Sequence, residues 1–139
     1  MDKQIILRKI TTLKRCVQRI DEKTPKKSED LEQDYDLQDI VSVNLQRAVQ
    51  VCVDIAAHIN AEFSEKAPES MVDSFENLNR LGVISSETCI RMKKSVGFRN
   101  IAVHEYVEIS WDIVFSVSSK NLDDFRTFSR EVVAWMDRV

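Results

Sequence analysis

Residues that interrupt helices are scarce in this sequence, which contains two glycines and two prolines among 139 residues. Hydrophobic residues make up 43% and charged residues 31% of the chain, a composition typical of globular proteins and not of disordered ones. The length suits one domain with a core of its own. We therefore predict a single helical domain over residues 1–139.

Cysteine and histidine are also scarce, which argues against most metal sites. Cys16, Cys52 and Cys89 are far apart and form no C-x-x-C pair, so we expect reduced, buried thiols in the cytoplasm. His58 and His104 have no carboxylate pair at a metal-ligand spacing. The sequence has no P-loop, no dinucleotide-binding glycine fingerprint and no nucleophile-elbow serine. We expect no metal and no cofactor, which leaves general acid–base chemistry.

The chain lacks both a long apolar run and a strong excess of one charge. No stretch reaches the length of a membrane span, and the N-terminus does not resemble a signal peptide, so we expect a cytoplasmic protein. The net charge of −3 argues against strong non-specific binding of nucleic acids, but it allows contact with a short stretch of RNA. Positive charge is concentrated at Arg91, Lys93, Lys94 and Arg99.

Apolar residues recur at helical spacing along nearly the whole chain. The clearest stripes are Ile6, Ile10, Leu13, Val17 and Ile20 near the start, and Leu122, Phe125, Phe128, Val132 and Trp135 near the end. The pattern predicts helices over residues 2–22, 34–62, 71–81, 86–96, 98–108, 109–119 and 120–138. A charged linker over 23–33 and a bend at Gly97 are also expected. The predicted fold class is all-α, an antiparallel helical bundle with a long first helix pair.

Three more positions carry specific expectations. Val43 and Ile90 fall on predicted apolar faces, so we expect both to be buried. His58 lies among apolar residues, so we expect a packed, hydrogen-bonded histidine outside any functional site.

The stretch Arg99-Asn100-Ile101-Ala102-Val103-His104-Glu105-Tyr106 brings a cation, an amide, an imidazole and a phenol together. Asn100 and His104 are four residues apart and share a helix face, and Arg99 and Tyr106 nearly align. Arg99 and His104 are about 140° apart around one regular helix. They therefore meet only if the helix bends, for which Gly97 is suited, or if a second subunit closes the site.

Arginine and histidine together suit phosphoryl chemistry on RNA. Arg99 presents a planar fork of donors that fits a phosphate, and His104 can exchange a proton near neutral pH. The imidazole would remove the proton of a ribose 2′-hydroxyl that attacks the neighbouring phosphorus, while the guanidinium stabilises charge on the phosphoryl oxygens. Asn100 would support them by a hydrogen bond to the imidazole or to a phosphate oxygen. The pair alone also fits a surface arginine and histidine without chemical function.

The octet resembles the signature of HEPN-domain toxins, in particular the HepT branch. The resemblance rests on Arg99-Asn100-x-x-x-His104-x-Tyr106 and on the preceding Val96-Gly97-Phe98, and the order of helices fits across nearly the whole chain. It implies a metal-independent endoribonuclease toxin of a HepT–MntA toxin–antitoxin pair, with Arg99 and His104 as its catalytic residues. It also implies that a minimal nucleotidyltransferase partner, the antitoxin, transfers AMP to Tyr106 and silences the toxin.

Two other functions fit part of these observations. A non-catalytic HEPN module would bind a nucleotide or a nucleotidyltransferase partner, with Arg99 on a nucleotide phosphate. A plain dimeric adaptor needs neither Arg99 nor His104, so the octet favours the nuclease. One chain supplies a single motif histidine, whereas transesterification benefits from a base and an acid, so we expect a homodimer.

Overall fold

The computed structural model describes residues 2–104 and 109–139, with the backbone alone over 101–104. All regular structure within these residues is helical, which confirms the predicted all-α class. The helices are α1 (Lys3–Lys23), α2 (Ser28–Glu32), α3 (Tyr35–Phe63), α4 (Met71–Arg80), α5 (Ser86–His104), α6 (Trp111–Lys120) and α7 (Leu122–Met136).

The long helices α1 and α3 form the most extensive contact between any two of the described helices, as expected of a long first pair. They are antiparallel, because Lys9 near the start of α1 forms an ion pair of 3.9 Å with Asp54 near the end of α3. Asp2 caps α1 by accepting a hydrogen bond of 2.9 Å from the backbone N–H of Gln4. The whole predicted apolar stripe of α1 is buried, which confirms the periodicity argument.

The core is one continuous hydrophobic cluster to which all seven described helices contribute. Phe75 of α4 and Phe128 of α7 are completely buried and pack edge to face, with ring centroids 5.8 Å apart. Fully burying a side chain of this size stabilises a fold by about 1.5–3 kcal/mol. All five residues of the apolar stripe predicted for α7 are buried, which confirms that stripe as well.

Residues 86–96 and 98–104 form one helix, α5, which passes through Gly97 without interruption. The prediction of two helices separated at Gly97 is therefore wrong in the described part of the chain. A glycine inside a helix destabilises it by only about 1 kcal/mol relative to alanine, and the packing of α5 against α3, α4 and α7 offsets that. Residues 105–108, the end of the predicted motif helix, lie outside the described residues.

The predicted linker contains a short helix, α2, that the sequence did not indicate. Leu31 is completely buried, which fixes this turn against the bundle. The Gln38 side chain donates hydrogen bonds to the carbonyls of Leu31 (3.0 Å) and Glu32 (2.9 Å), so it satisfies two groups that a helix end leaves unpaired. A five-residue helix held by tertiary contacts has no periodic signal of its own.

Three side chains expected inside the protein lie outside. Val43 is 42% exposed and Ile90 is 54% exposed, and His58 is exposed rather than packed. Helical periodicity gives the direction of the buried face but not its width, and these residues stand beyond its edges.

Helix α3 is long and apolar enough in composition to cross a membrane, contrary to the expectation that no stretch reaches that length. Many of its apolar residues, including Val41, Leu45, Cys52, Ile55 and Ile59, are buried in the bundle. A core helix of a soluble bundle meets the same criterion, so this finding is weak evidence for a membrane span.

Candidate active site

Helix α5 carries the motif residues from Arg99 to His104, and its start is anchored to α7. The Ser85 hydroxyl accepts a hydrogen bond of 3.1 Å from the backbone N–H of Thr88, which caps the helix. The Glu131 carboxylate of α7 accepts a hydrogen bond of 2.6 Å from the backbone N–H of Ser85 and another from the Thr88 hydroxyl. These contacts fix where α5 begins and how it lies on the bundle.

Arg99 is held by side chains from two other helices. Its Nη2 donates a hydrogen bond of 3.2 Å to Oε1 of Gln50 on α3, and its Nη1 lies 3.9 Å from Sδ of Met71 on α4. Arg99 is half-buried. A guanidinium has five N–H donors, and among the described residues these two contacts occupy only two of them, which leaves donors that can bind a phosphate.

Gln50 is itself oriented by a further contact. Its Nε2 donates a hydrogen bond of 3.0 Å to Oδ1 of Asp54, whose other oxygen lies 3.9 Å from the ammonium of Lys9. A chain of polar contacts therefore runs from Arg99 through Gln50 and Asp54 to Lys9, and it links α5, α3 and α1. Gln50 could not be identified as a site residue from the sequence, because a single amide on a long helix gives no sequence signal.

The other motif residues are described to different extents. Asn100 is exposed on α5, where it is accessible to a substrate. The backbone of His104 ends α5, but its side chain and the whole of Tyr106 lie outside the described residues. The predicted roles of Asn100, His104 and Tyr106 therefore stay predictions.

Positive charge near the motif is partly neutralised. Arg91 forms ion pairs with Glu87 (2.6 Å) and Asp124 (3.2 Å). Lys93 pairs with Glu76 at 2.8 Å, and that hydrogen bond raises the pKa of the lysine. Among the described residues Lys94 and Arg99 have no carboxylate partner. Within the described part of the chain, Lys94 and Arg99 are therefore the two of these four cations that no carboxylate neutralises.

The cysteines do not contribute a nucleophile to the site. All three are free and buried, as predicted. Burial raises the pKa of each thiol, most strongly at Cys52, where neighbouring Cys16 raises it further. Raised pKa values keep the thiols protonated at neutral pH, whereas the reactive form is the thiolate.

Comparison with protein families settles the relationship of this chain to known proteins. Residues 13–132 match the family described as ribonuclease HepT-like. The chain belongs to this family. The family resemblance that the octet indicated is thereby confirmed, and with it the general class of enzyme.

Individual HepT proteins support the assignment. The chain is 44% identical to the mRNA nuclease HepT of Shewanella oneidensis, over 89% of this chain and 92% of that protein. It is 26% identical to the tRNA nuclease HepT of Aphanizomenon flos-aquae, over 66% of this chain and 63% of that protein. The two relatives differ in the RNA class that their names give.

The fold is also that of a solved HepT-family structure. A tri-AMPylated HEPN toxin from Shewanella oneidensis, in complex with an MNT antitoxin, superposes with a TM-score of 0.86 at 42% sequence identity. The match covers 94% of this chain and 97% of that one. The bundle is therefore of the HEPN type, as the sequence predicted.

Proposed function

We propose that this protein is a metal-independent endoribonuclease toxin of a toxin–antitoxin pair. His104 removes the proton from a ribose 2′-hydroxyl, and the 2′-oxygen forms a bond to the adjacent phosphorus. The bond from phosphorus to the 5′-oxygen breaks, and that oxygen takes up a proton from a general acid. The products carry a 2′,3′-cyclic phosphate and a free 5′-hydroxyl. Arg99 stabilises the negative charge on the phosphoryl oxygens.

The placement of Arg99 is the observation that carries this proposal. Gln50 and Met71 hold the guanidinium, and no other described side chain occupies its remaining donors. A cation that is positioned in advance stabilises a phosphoryl transition state better than one that must be ordered during the reaction. Asn100, exposed beside Arg99, would add a hydrogen bond to the imidazole or to a phosphate oxygen.

The continuity of α5 favours a homodimer as the active unit. Positions 99 and 104 lie on one uninterrupted helix, about 140° apart around its axis. In this proposal the catalytic pair is completed across a two-fold axis, where Arg99 of one protomer faces His104 of its partner. The second His104 then supplies the general acid.

Control of the toxin is the second half of the proposal. A cognate MntA-like nucleotidyltransferase transfers AMP to Tyr106 and thereby silences the toxin in the cytoplasm. The support is the similarity to a solved HEPN toxin that is tri-AMPylated and bound to an MNT antitoxin. AMP on Tyr106 adds a negative phosphate and a bulky nucleoside close to Arg99 in sequence, where they compete with RNA.

Expression and end-group analysis test the proposal together. Expression of this chain alone should arrest growth, and co-expression of its nucleotidyltransferase should restore growth. The purified protein should cleave RNA in EDTA, and light scattering should give twice the chain mass of 16.1 kDa. If folded protein leaves RNA intact, the non-catalytic HEPN module becomes the better reading. Full activity from a monomer would contradict the proposal that two protomers share one active site.

A further inference from the structure

Three arginines line a groove between α1 and α3, and none of the residues that line it belongs to the motif helix α5. Arg15 and Arg19 come from α1 and Arg47 comes from α3. The groove has a volume of about 390 Å³, and its remaining lining residues are Asp39, Ile40, Val43 and Asn44. We call it the arginine groove. Asp39 is the only carboxylate in this lining, so the groove stays positive in a chain whose net charge is −3.

These arginines differ from most others in the described part of the chain because they have no partner there. Neither an ion pair nor a side-chain hydrogen bond joins Arg15, Arg19 or Arg47 to a described residue. By contrast, Arg80, Arg91 and Arg126 each pair with a carboxylate. Like charges four residues apart on a helix destabilise it slightly, as at Arg15 and Arg19. The cluster therefore contributes little to folding, and an external anion would relieve its repulsion.

The arginine groove adjoins the residue that positions Arg99. Arg47 and Gln50 are three residues apart on α3, so they lie on neighbouring turns of the same side, about 4.5 Å apart along the axis. Gln50 accepts the hydrogen bond from Arg99. Helix α3 contacts both α1 and α5, so Arg47 faces the arginine groove on its α1 side while Gln50 meets Arg99 of α5. A chain of phosphates that leaves Arg99 can cross α3 at these two positions and enter the groove.

We infer that the arginine groove binds the phosphodiester backbone of single-stranded RNA beside the phosphate that is cleaved. This inference rests on the proposed function and identifies a substrate-binding surface distinct from the motif. Guanidinium groups fit phosphate oxygens with paired hydrogen bonds, so three of them hold a backbone without reading its bases. Because the groove lies next to the residue that holds Arg99, an RNA strand bound at Arg99 is favoured as its occupant over an acidic protein surface.

The test is RNA binding without cleavage, measured with full-length His104→Ala protein. Fluorescence anisotropy of a labelled single-stranded RNA gives the affinity as a function of salt concentration. The salt slope is the steepness with which the logarithm of the binding constant falls as the logarithm of the salt concentration rises. Replacing Arg15, Arg19 and Arg47 together by glutamine should lower this slope by about 2, because each lost phosphate contact to single-stranded RNA removes roughly 0.7. Affinity at about 0.1 M salt should fall roughly 10- to 100-fold. In the active protein, KM should rise while kcat changes little.

Two variants control for charge and for folding. The first is a triple variant that removes the same charge from exposed positions outside the groove: Lys14→Gln, Lys120→Gln and Arg130→Gln. Its salt slope should stay close to that of the His104→Ala parent protein. A second variant replaces the three groove arginines by lysine, and it should keep most of the slope because the charge is preserved. Thermal unfolding of every variant should match the parent protein.

The outcomes separate this inference from the proposed function. Equal losses in the two glutamine variants, or an unchanged slope in the groove variant, would overturn the inference. So would a variant that binds RNA normally but binds the nucleotidyltransferase weakly, because the groove would then be a protein interface. If wild-type protein leaves RNA intact while the groove variant shows the predicted loss of binding, the nuclease proposal fails and the groove assignment stands.

Discussion

Gln50 and Arg99 lie 49 positions apart in the chain and are joined by a hydrogen bond of 3.2 Å from Nη2 to Oε1. This contact ties the motif helix to the longest described helix of the bundle. It also fixes one edge of a guanidinium that would otherwise sample many rotamers. We regard Gln50 as a positioning residue, because it acts on the substrate through Arg99.

Gln50→Ala should reduce kcat about tenfold and leave KM nearly unchanged. A hydrogen bond to a charged group contributes at least about 1.5 kcal/mol, and a barrier raised by that amount slows a reaction about tenfold. The Gln46→Ala variant, one turn away on α3, is the matched control and should retain wild-type kinetics. In an Arg99→Ala background, Gln50→Ala should have no further effect. Independent, additive losses in that double variant would show that Gln50 does not act through Arg99.

Asn100→Ala should slow single-turnover cleavage, but by less than loss of His104 does. The amide is exposed on α5 and can hydrogen-bond the imidazole or a phosphate oxygen. A neutral hydrogen bond contributes about 1 kcal/mol, which corresponds to roughly a fivefold loss in rate. A rate equal to that of the wild type would identify Asn100 as a surface amide without a part in the reaction.

Tyr106→Phe should keep ribonuclease activity and escape silencing by the nucleotidyltransferase. The phenol oxygen is the acceptor of AMP in this account, and phenylalanine lacks it. Mass spectrometry after incubation with the partner and ATP should place AMP on Tyr106 of the wild type and of a Tyr35→Phe variant, and should find none on Tyr106→Phe protein. Tyr35→Phe is the control, because Tyr35 is 80% exposed yet outside the motif. AMP on Tyr35, with the toxin still neutralised, would refute this modification site.

Phe128→Ala should lower the free energy of unfolding by about 3–5 kcal/mol, because it removes a fully buried ring that packs on Phe75. Ile113→Ala is the control, since Ile113 is 55% exposed, and its effect should stay within about 0.5 kcal/mol. Urea unfolding at a fixed protein concentration measures both. Similar effects of the two substitutions would contradict the assignment of the core.

The sequence predicted the bundle well where one face of a helix is apolar and the other charged. Ile6 to Ile20 on α1 and Leu122 to Trp135 on α7 are buried as their spacing indicates. The predicted helix boundary at Gly97 was wrong, because the low helix propensity of glycine is outweighed by the tertiary packing of α5. It also failed at Val43, where burial depends on how far neighbouring helices extend.

The candidate site was predictable only in part. The Arg99, His104 and Tyr106 pattern is local, so its family resemblance could be seen in eight residues. The contact between Gln50 and Arg99 could not, because it joins two helices and no periodic pattern marks an isolated amide. The arginine groove could not be predicted for the same reason, because it also forms between two helices. Arg15 and Arg19 become neighbours of Arg47 only after α1 and α3 pack in antiparallel fashion.

The most direct test of the account is the chemistry of cleavage by wild type, Arg99→Ala and His104→Ala proteins in EDTA. Wild type should produce 2′,3′-cyclic phosphate and 5′-hydroxyl ends without added metal. His104→Ala should lose about 10²- to 10⁴-fold in rate, the usual contribution of general acid–base catalysis, and Arg99→Ala a comparable amount. Circular dichroism should show that both variants stay folded. Wild-type cleavage by folded His104→Ala protein, or complete dependence on a metal ion, would contradict the central claim.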